Sequence, residues 1–403
     1  MNYIPITFVT PWYGYFAGGA EVAARSLAEQ LAKRGYDVQV LTTCCRSPFE
    51  NWWQNTLPSG VEQLNGVTVR RFPVNNQGED LYHEANHQII HGIQIDEKYQ
   101  RQFVNHSINS QALIDYACVN TEGHIVIGLP YIYGLTYSLV KALNGRASIM
   151  PCFHYEPQLQ WITTAEMMAL SQQILFLTEE EKTLAIQQFG QLVGRRLVES
   201  SVIGVGVELP TDIKKLLDKN DCNYSKDIKL KYQLPEKFFV YVGRKDIGKN
   251  ILTLINYFQN YQASGGKASL VFLGGGDANL LPKRKGFIDL GFLPEEDKYL
   301  IISQAQGLIN LSVNESFSLV LMEAWLCEIP VIVHRGCEVT TGHCLNSQGG
   351  IPISSSEEFQ AALKVLSKED TSKILARFGK RYVQSKYSWD SVIDRFLRSA
   401  YQG

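Results

Sequence analysis

The chain has 403 residues, which is enough for two domains of about 200 residues each. Hydrophobic residues make up 45% of the sequence and charged residues 19%, so the chain can bury extensive cores. Its formal net charge of −2 argues against a general nucleic-acid binder.

Strands and helices alternate through the first half of the sequence. An apolar run at 4–10 predicts a strand, and a helical pattern begins at Glu21 and ends at Gly35, where a glycine commonly follows a helix. The next apolar run, at 37–42, predicts a second strand, and this order indicates a parallel sheet with helices on its faces. Residues 75–115 are polar and helical in pattern, which predicts an insertion in a first domain spanning 1–205.

The second half has the same alternation without a detectable sequence repeat. Charged residues that lack an apolar period predict a linker at 206–235, followed by a second domain at 236–385. Its strands are predicted at 238–242, 269–273, 286–290, 308–311 and 330–333. The end of the chain, 386–403, has the pattern of an amphipathic helix.

Two patterns bear on the compartment of the protein. The longest uncharged apolar stretch, 123–140, is interrupted by proline and glycine and contains a histidine, which argues against a membrane span. The eight cysteines form no C-x-x-C pair, and the N-terminus lacks the basic region of a signal peptide. The sequence therefore predicts free thiols and a cytoplasmic location.

The stretch 308–333 reads as strand, tight loop, helix and strand, and it contains two acids eight positions apart. If the helix spans both, Glu315 and Glu323 lie on nearly the same face, about 12 Å apart. The amides of Ser316, Phe317 and Ser318 would then point out of the helix N-terminus, where phosphate binds readily. This arrangement suits a ligand with hydroxyls at both ends and a diphosphate between them, such as a nucleotide-sugar.

Glycines and cations follow other predicted strands. Gly18 and Gly19 precede the first helix and would let a ligand approach the backbone, or they form a flexible turn. Gly243-Arg244, with Lys249 five residues on, follows the first strand of the second domain and could neutralise a diphosphate, since open α/β sheets bind ligands at this edge. The alternative is a solvated basic turn. The glycines at 274–276 approach a nucleotide or form a plain turn.

Two histidine patterns have competing explanations. His154 ends an apolar run and Glu156 follows, which is a site position in parallel sheets, although lone histidines are often structural. His83-Glu84-x-x-His87 matches the zinc metalloprotease signature, and His91 would continue the same helical face, but the segment is polar and no G-x-x-H of the metzincin type follows. The simpler interpretation of this segment is a solvated helix.

Together these segments resemble the retaining glycosyltransferases of family 4. That family has the α/β glycosyltransferase-B fold, in which two Rossmann-like domains with parallel sheets face each other across a cleft. The most specific match is the E-x7-E element from Glu315 to Glu323, and the resemblance covers most of the chain outside about 45–115 and the linker. Similar segments also occur at Gly18-Gly19-Ala20-Glu21, Thr178-Glu179-Glu180-Glu181-Lys182, Gly204-Val205-Gly206-Val207, Gly243-Arg244 with Lys249, Gly274-Gly275-Gly276-Asp277, Gly291-Phe292-Leu293 and Tyr387-Ser388-Trp389.

The resemblance implies a role for each matching residue. It places the Gly243-Arg244 turn and Lys249 on the donor diphosphate, Glu323 on the ribose hydroxyls and Glu315 beside the transferred sugar. The remaining implied contacts are those of the amides of Ser316, Phe317, Ser318 and Leu319 with sugar and phosphate, of Gly18 and Gly19 with the phosphates, of Phe292 and Leu293 with the base, and of His154 with the sugar on the acceptor side. The final helix would cross back to the first domain.

The implied reaction moves a sugar from a UDP-, GDP- or ADP-sugar to a hydroxyl of a glycan, lipid-linked or small-molecule acceptor. It proceeds with retention and requires neither metal nor cofactor. A lipid-linked acceptor would bring the protein into peripheral contact with the inner face of a membrane, and the sequence sets no oligomeric state. The alternatives are a soluble-sugar transferase resembling glycogen or sucrose synthase, a non-catalytic sugar-nucleotide-binding protein of the same fold, and a zinc metalloprotease acting through His83, Glu84 and His87.

Two departures from the family pattern stand out. The family commonly has a small residue and glycine before the equivalent of Pro330, where this chain has Trp325 to Ile329. The family often has aspartate after the equivalent of His154, where this chain has Tyr155. The first departure concerns packing at the helix end and the second the acceptor side.

Overall fold

The structure, a computed structural model, describes residues 4–15, 18–218 and 222–401. Residues 1–3 and 16–17 of the predicted first domain, 219–221 of the predicted linker and 402–403 of the predicted final helix lie outside these ranges. The chain divides into two compact units, Met1–Gly206 with Val392–Gly403, and Val207–Ser391.

The strands of both units are short and mostly buried. They are β1 (Ile6–Val9), β2 (Val38–Thr43), β3 (Gly60–Leu64), β4 (Val67–Phe72), β5 (Ile125–Gly128), β6 (Ala147–Ile149), β7 (Leu175–Phe176), β8 (Ser201–Val202), β9 (Phe238–Val242), β10 (Ser269–Leu273), β11 (Phe287–Asp289), β12 (Leu308–Asn310), β13 (Val331–His334) and β14 (Gly350–Ile353).

Helices connect most of these strands. They are α1 (Gly19–Lys33), α2 (Glu79–Ile90), α3 (Glu97–His106), α4 (Gln111–Asn120), α5 (Gly134–Leu143), α6 (Ile162–Leu170), α7 (Glu179–Glu199), α8 (Thr211–Asp218), α9 (Cys222–Lys231), α10 (Ile251–Ala263), α11 (Glu295–Ile302), α12 (Leu319–Leu326), α13 (Glu338–Ser347), α14 (Ser356–Leu366), α15 (Glu369–Lys386) and α16 (Trp389–Ala400). Short 3₁₀ turns lie at Pro157–Gln160, Ile247–Lys249 and Ala278–Leu280.

The first unit is built on a six-stranded sheet with the order β3-β4-β2-β1-β5-β6. Its pairings are parallel except for the antiparallel pair β3 and β4. The end of the chain belongs to this unit, because the Phe396 ring of α16 stacks on Phe8 of β1 at 6.2 Å and Arg395 donates to the Ile203 carbonyl at 3.0 Å. The buried apolar strand residues form the core between sheet and helices.

The second unit has an all-parallel sheet with the order β11-β10-β9-β12-β13-β14. In chain order within the unit this is 3-2-1-4-5-6, the order of doubly wound sheets. The order reverses between β9 and β12, and such sheets bind ligands outside the carboxyl ends of the strands at that point. The fold prediction of an α/β chain with two parallel-sheet domains is confirmed.

The stretch predicted as a linker contains two helices of the second unit. Within it, α8 and α9 bury Ile213 and Ile228. At the end of α9, Lys231 donates to the Asp297 carboxylate on α11 at 2.6 Å, and so does the hydroxyl of Tyr232. The sequence prediction missed these helices because each contributes so few apolar residues to the core.

The departure from the family pattern before Pro330 has a clear structural result. α12 ends in a Schellman turn, in which Ile329 donates to the Ala324 carbonyl at 3.1 Å and Glu328 to the Trp325 carbonyl at 3.0 Å. Glu328 occupies the left-handed position of that turn, with φ of 59°, where glycine is the usual residue. Its carboxylate pairs with Lys380 of α15, and the Trp325 indole donates to the Gly349 carbonyl at 2.9 Å.

Candidate functional site

The loops after β9 and β12 flank the point where the second sheet reverses its order. Gly243 and Arg244 follow β9, and Glu315 lies in the loop after β12. This is the edge at which the sequence predicts a diphosphate site, and the structure brings residues 66 positions apart into contact here.

A tight turn after β9 fixes Lys249. Asp246 accepts a hydrogen bond from the Lys249 backbone amide at 2.9 Å and so caps the 3₁₀ turn Ile247–Lys249. Asn250 then adopts the left-handed conformation, and its side chain donates to the Leu311 carbonyl at 3.0 Å. The Lys249 ammonium can therefore donate to the Glu315 carboxylate, at 2.9 Å. Arg244 pairs with Asp246 at 3.4 Å, and its side chain is 51% exposed.

Lys245 is not part of a solvated basic turn. Its side chain is 2% exposed, and its ammonium donates to the Gly274 carbonyl and, at 3.0 Å, to the Asp289 carboxylate. The interpretation of 244–249 as a uniformly solvated basic turn is therefore wrong for this residue, because Lys245 ties the turn after β9 to the end of β11.

The glycines after β10 serve packing between loops. Gly274 has φ of 122°, and a Cβ there would clash with the Gly243 carbonyl. Gly276 lies against the Lys245 backbone, which pairs with it in a parallel bridge. Gly274 and Gly276 thus allow the backbones of the loops after β9 and β10 to lie close together.

The expectation that Glu315 and Glu323 share a helix face is wrong. α12 begins only at Leu319, because Ser318 has φ of 69° and ψ of 71° and breaks the helical pattern. Glu315, Ser316 and Phe317 therefore lie in a loop before the helix. The amides at the helix N-terminus are those of Leu319 and the residue after it, and not those of Ser316 to Ser318.

Asn310 and Ser318 shape this loop from inside. The Asn310 amide, at the end of β12, donates to the Ser318 hydroxyl at 3.1 Å, and its carbonyl accepts from the Ser312 amide at 2.9 Å. Phe317 is buried, with its ring against His343 of α13, whereas Glu315 and Ser316 are half-buried.

Glu323 is held by two residues of α11 that the sequence prediction missed. Its Oε1 accepts from the Lys298 ammonium at 2.9 Å and from the Tyr299 hydroxyl at 3.1 Å. Burial and the neighbouring Glu323 and Glu295 carboxylates raise the pKa of Tyr299 far above its usual value, so its hydroxyl remains a donor. Glu323 thus lies in a fixed orientation on α12. No local sequence pattern pointed to Lys298 or Tyr299, since they contact Glu323 only across the fold.

Phe292 and Leu293 follow β11 at the same edge of the sheet. Phe292 is 76% exposed and Leu293 is half-buried. Gly291 precedes them with φ of 64°, and its amide donates to Asp289 at 3.0 Å. An exposed ring at this edge is available for stacking on a planar ligand.

The first unit carries Gly18 and Gly19 at the start of α1. Gly18 is the extended residue before the helix, and a Cβ there would clash with the Glu21 carboxylate. Gly19 is the first helical residue and is exposed, with open space around the position of a Cβ. The backbone at Gly19 is thus open to a ligand, whereas Gly18 is required for the approach of Glu21.

His154 follows β6 and belongs to a chain of polar contacts in the first unit. It pairs with the Glu156 carboxylate at 3.3 Å, which also accepts from the Tyr131 hydroxyl at 2.6 Å. The preceding amide, of Phe153, donates to Glu181 at 2.6 Å. Burial raises the pKa of Glu181 to about 8, although two backbone amides that donate to it lower that pKa. The buried Glu181 therefore fixes the backbone beside His154.

The His83-Glu84-x-x-His87 segment lies on α2, where its side chains contact neighbouring residues of the first unit. His83 packs against the Trp53 ring at 5.3 Å, and Glu84 accepts from the Gln102 side chain at 2.9 Å. The part of the chain that the structure describes contains no group of three or more His, Cys, Asp or Glu side chains arranged to hold a metal ion. None of its helices is long and apolar enough to cross a membrane.

The arrangement defines an α/β protein with two domains and the glycosyltransferase-B-like fold. Residues 225–381 match the family model "Glycosyl transferases group 1". A curated relative, "Glycosyltransferase 1 domain-containing protein 1" of Xenopus tropicalis, is 25% identical over 119 residues, which are 29% of this chain and 34% of that protein. The chain thus matches about a third of that relative's length.

Solved structures resemble the chain over nearly its whole length. Sucrose-phosphate synthase from Thermosynechococcus elongatus has 16% identity and a TM-score of 0.68, with 99% of this chain and 98% of that chain covered. A UDP-forming α,α-trehalose-phosphate synthase from Burkholderia xenovorans, in complex with glucose-6-phosphate, has 12% identity and a TM-score of 0.73, with coverage of 99% and 100%. At these identities the likeness establishes the fold.

Proposed function

We propose that the protein is a retaining glycosyltransferase that uses a nucleotide-sugar donor without a metal ion. The observation that carries the proposal is the cluster of Arg244, Lys249 and Glu315 at the reversal point of the second sheet. All three residues lie within the region that matches the group 1 glycosyl transferases.

The cluster offers the charges that a leaving nucleoside diphosphate requires. Arg244 presents a half-exposed guanidinium fork and Lys249 a point charge, and together they would stabilise the negative charge that develops as the sugar–phosphate bond breaks. The amides at the start of α12 add partial positive charge. Glu315 would face the transferred sugar, Glu323 would accept from the ribose hydroxyls, and Phe292 with Leu293 would flank the base.

In the first unit we assign ligand contacts to Gly19 and His154. The exposed amide end of α1 at Gly19 favours an anion, and the imidazole of His154 is oriented by Glu156. The acceptor is then a hydroxyl of a glycan, a lipid-linked sugar or a soluble sugar. In the retaining reaction that hydroxyl attacks from the face on which the diphosphate leaves.

Calorimetric titration with UDP-, GDP- and ADP-sugars tests the donor site. One donor should bind, and Arg244→Ala or Lys249→Ala should weaken it about tenfold to 100-fold, the usual effect of losing a charged hydrogen bond. Arg284→Ala and Lys283→Ala are matched controls, because these exposed cations precede β11 at the opposite edge of the sheet. Unchanged donor affinity in Arg244→Ala and Lys249→Ala would contradict the assignment.

Transfer is tested separately from binding. With the donor identified, product formation should persist in a chelator and the new glycosidic bond should keep the anomeric configuration of the donor, as read by NMR. Donor binding without turnover on any glycan, lipid-linked or soluble sugar acceptor would instead support a non-catalytic sugar-nucleotide-binding protein. Peptidase activity that a chelator abolishes and zinc restores would support the metalloprotease alternative at His83 and His87.

A further inference from the structure

A buried histidine outside every predicted motif contacts the loop that carries Glu315. His343 lies on α13 and is 2% exposed. Its Nε2 lies 3.0 Å from the Phe317 carbonyl oxygen and its Nδ1 3.0 Å from the Tyr382 hydroxyl. A carbonyl only accepts, so Nε2 carries the proton and Nδ1 accepts from Tyr382.

Aromatic rings close around this contact. The Phe317 ring meets His343 edge-on at 5.3 Å and Tyr387 at 5.0 Å, and the hydroxyls of Tyr382 and Tyr387 lie 3.3 Å apart. The imidazole is thus bonded at both nitrogens inside an apolar shell. Such a fully satisfied buried polar network specifies one arrangement of the groups that it joins.

The bonded carbonyl lies beside a residue with strained backbone geometry. It belongs to the peptide between Phe317 and Ser318, and Ser318 has the left-handed φ of 69° that delays the start of α12. A serine in that conformation costs free energy that the surrounding structure must offset. Two residues before Phe317, Glu315 holds Lys249.

We propose that His343 is a positioning residue that fixes the Phe317 carbonyl and thereby places Glu315 for donor turnover. The part of the proposal that concerns turnover rests on the proposed function. The anchoring of the loop by His343 is independent of it. His343 has no contact with the reacting groups, and it acts through the loop alone.

Hydrogen exchange and kinetics of His343→Phe, His343→Gln and Leu345→Ala test the proposal. In His343→Phe the ring remains but cannot donate, so the amides at 315–319 should exchange about tenfold faster, with kcat lowered about tenfold and the acceptor KM unchanged. In His343→Gln the side-chain amide reaches the Nε2 position and should restore both values to within about threefold of the original protein. Leu345 is exposed on the same helix, and its replacement should change neither.

The outcomes separate the anchor from the reaction. Unchanged exchange in His343→Phe, or a His343→Gln protein that behaves like His343→Phe, would overturn the anchor. Faster exchange with unchanged kcat would overturn the positioning role. If the original protein turns over no donor, the proposed function fails while the exchange data still decide the anchor.

A second variant is available if His343→Phe does not fold. Tyr382→Phe removes only the hydroxyl that donates to Nδ1, and it should accelerate hydrogen exchange of the same amides at 315–319. Unchanged exchange in Tyr382→Phe would contradict the network.

Discussion

The Lys249 ammonium lies 2.9 Å from the Glu315 carboxylate, so the proposed diphosphate cation is already paired with the proposed sugar-side acid. The two side chains are only partly exposed, which strengthens their attraction relative to a surface pair. A diphosphate that binds here must therefore share Lys249 with Glu315. Neutralising Lys249 should therefore weaken diphosphate binding, whereas neutralising Glu315 should strengthen it.

Replacing Glu315 with glutamine should tighten binding of the free nucleoside diphosphate about threefold to tenfold, because Lys249 loses its competing partner. Transfer should nonetheless fall about 100-fold, since the carboxylate beside the sugar is lost. Titration calorimetry and initial rates measure the two effects. Glu357→Gln removes an exposed acid of α14 and serves as the control. A loss of diphosphate affinity in Glu315→Gln would contradict the competition.

Glu323 should determine how strongly the donor site prefers ribose. Its carboxylate is held by Lys298 and Tyr299, so it is oriented before any ligand arrives. Glu323→Gln should lower affinity for the ribonucleotide about tenfold and leave affinity for the dideoxyribose analogue within about twofold. Tyr299→Phe, which removes one orienting hydroxyl, should give a smaller loss in the same direction. Equal losses for both ligands would show that Glu323 does not contact the ribose hydroxyls.

Glu328 should be a point at which the protein is readily stabilised. Its left-handed φ favours glycine by about 1 kcal/mol, while its partly exposed pair with Lys380 contributes about 0–1 kcal/mol. Glu328→Gly should therefore raise Tm by about 1–3 °C, and Glu328→Ala, which loses the pair and keeps the strain, should lower it. Scanning calorimetry checks the order of the three proteins. A Tm of Glu328→Ala above that of Glu328→Gly would contradict the strain at this position.

Much of the fold was predictable because local sequence patterns indicate its strands and helices. The strands predicted at 4–10, 238–242 and 330–333 are apolar runs, and their alternation with helical patterns indicates a parallel sheet. The strand β3 escaped prediction because Gly60–Leu64 is largely exposed and lacks an apolar alternation.

The site was only partly predictable because its geometry depends on distant contacts. The positions of Arg244, Lys249, Glu315 and Glu323 came from spacing and resemblance, but the helix start was misplaced, since a left-handed Ser318 has no sequence signal. The burial of Lys245 depends on Asp289, 44 residues away, and could not be read locally.

His343 should make the stability of the protein depend on pH. Its pKa is lowered from 6.5 to about 4, mainly by burial and also by the Lys386 ammonium, while the hydrogen bond to the Phe317 carbonyl acts in the opposite direction. The Tyr382 hydroxyl and the Tyr387 ring also contact the imidazole. The imidazole is therefore protonated near pH 6.5 in the unfolded chain but only near pH 4 in the folded chain. The free energy of unfolding should decrease by about 3 kcal/mol as pH falls from about 6.5 to about 4. Above pH 6.5 the imidazole is neutral in both states, so His343 should not make stability depend on pH there. Urea unfolding of the original protein and of His343→Gln between pH 4 and 8 measures the difference. The original protein should lose stability relative to the variant as pH falls, because glutamine does not titrate, and parallel curves would show that His343 is not held neutral in the fold.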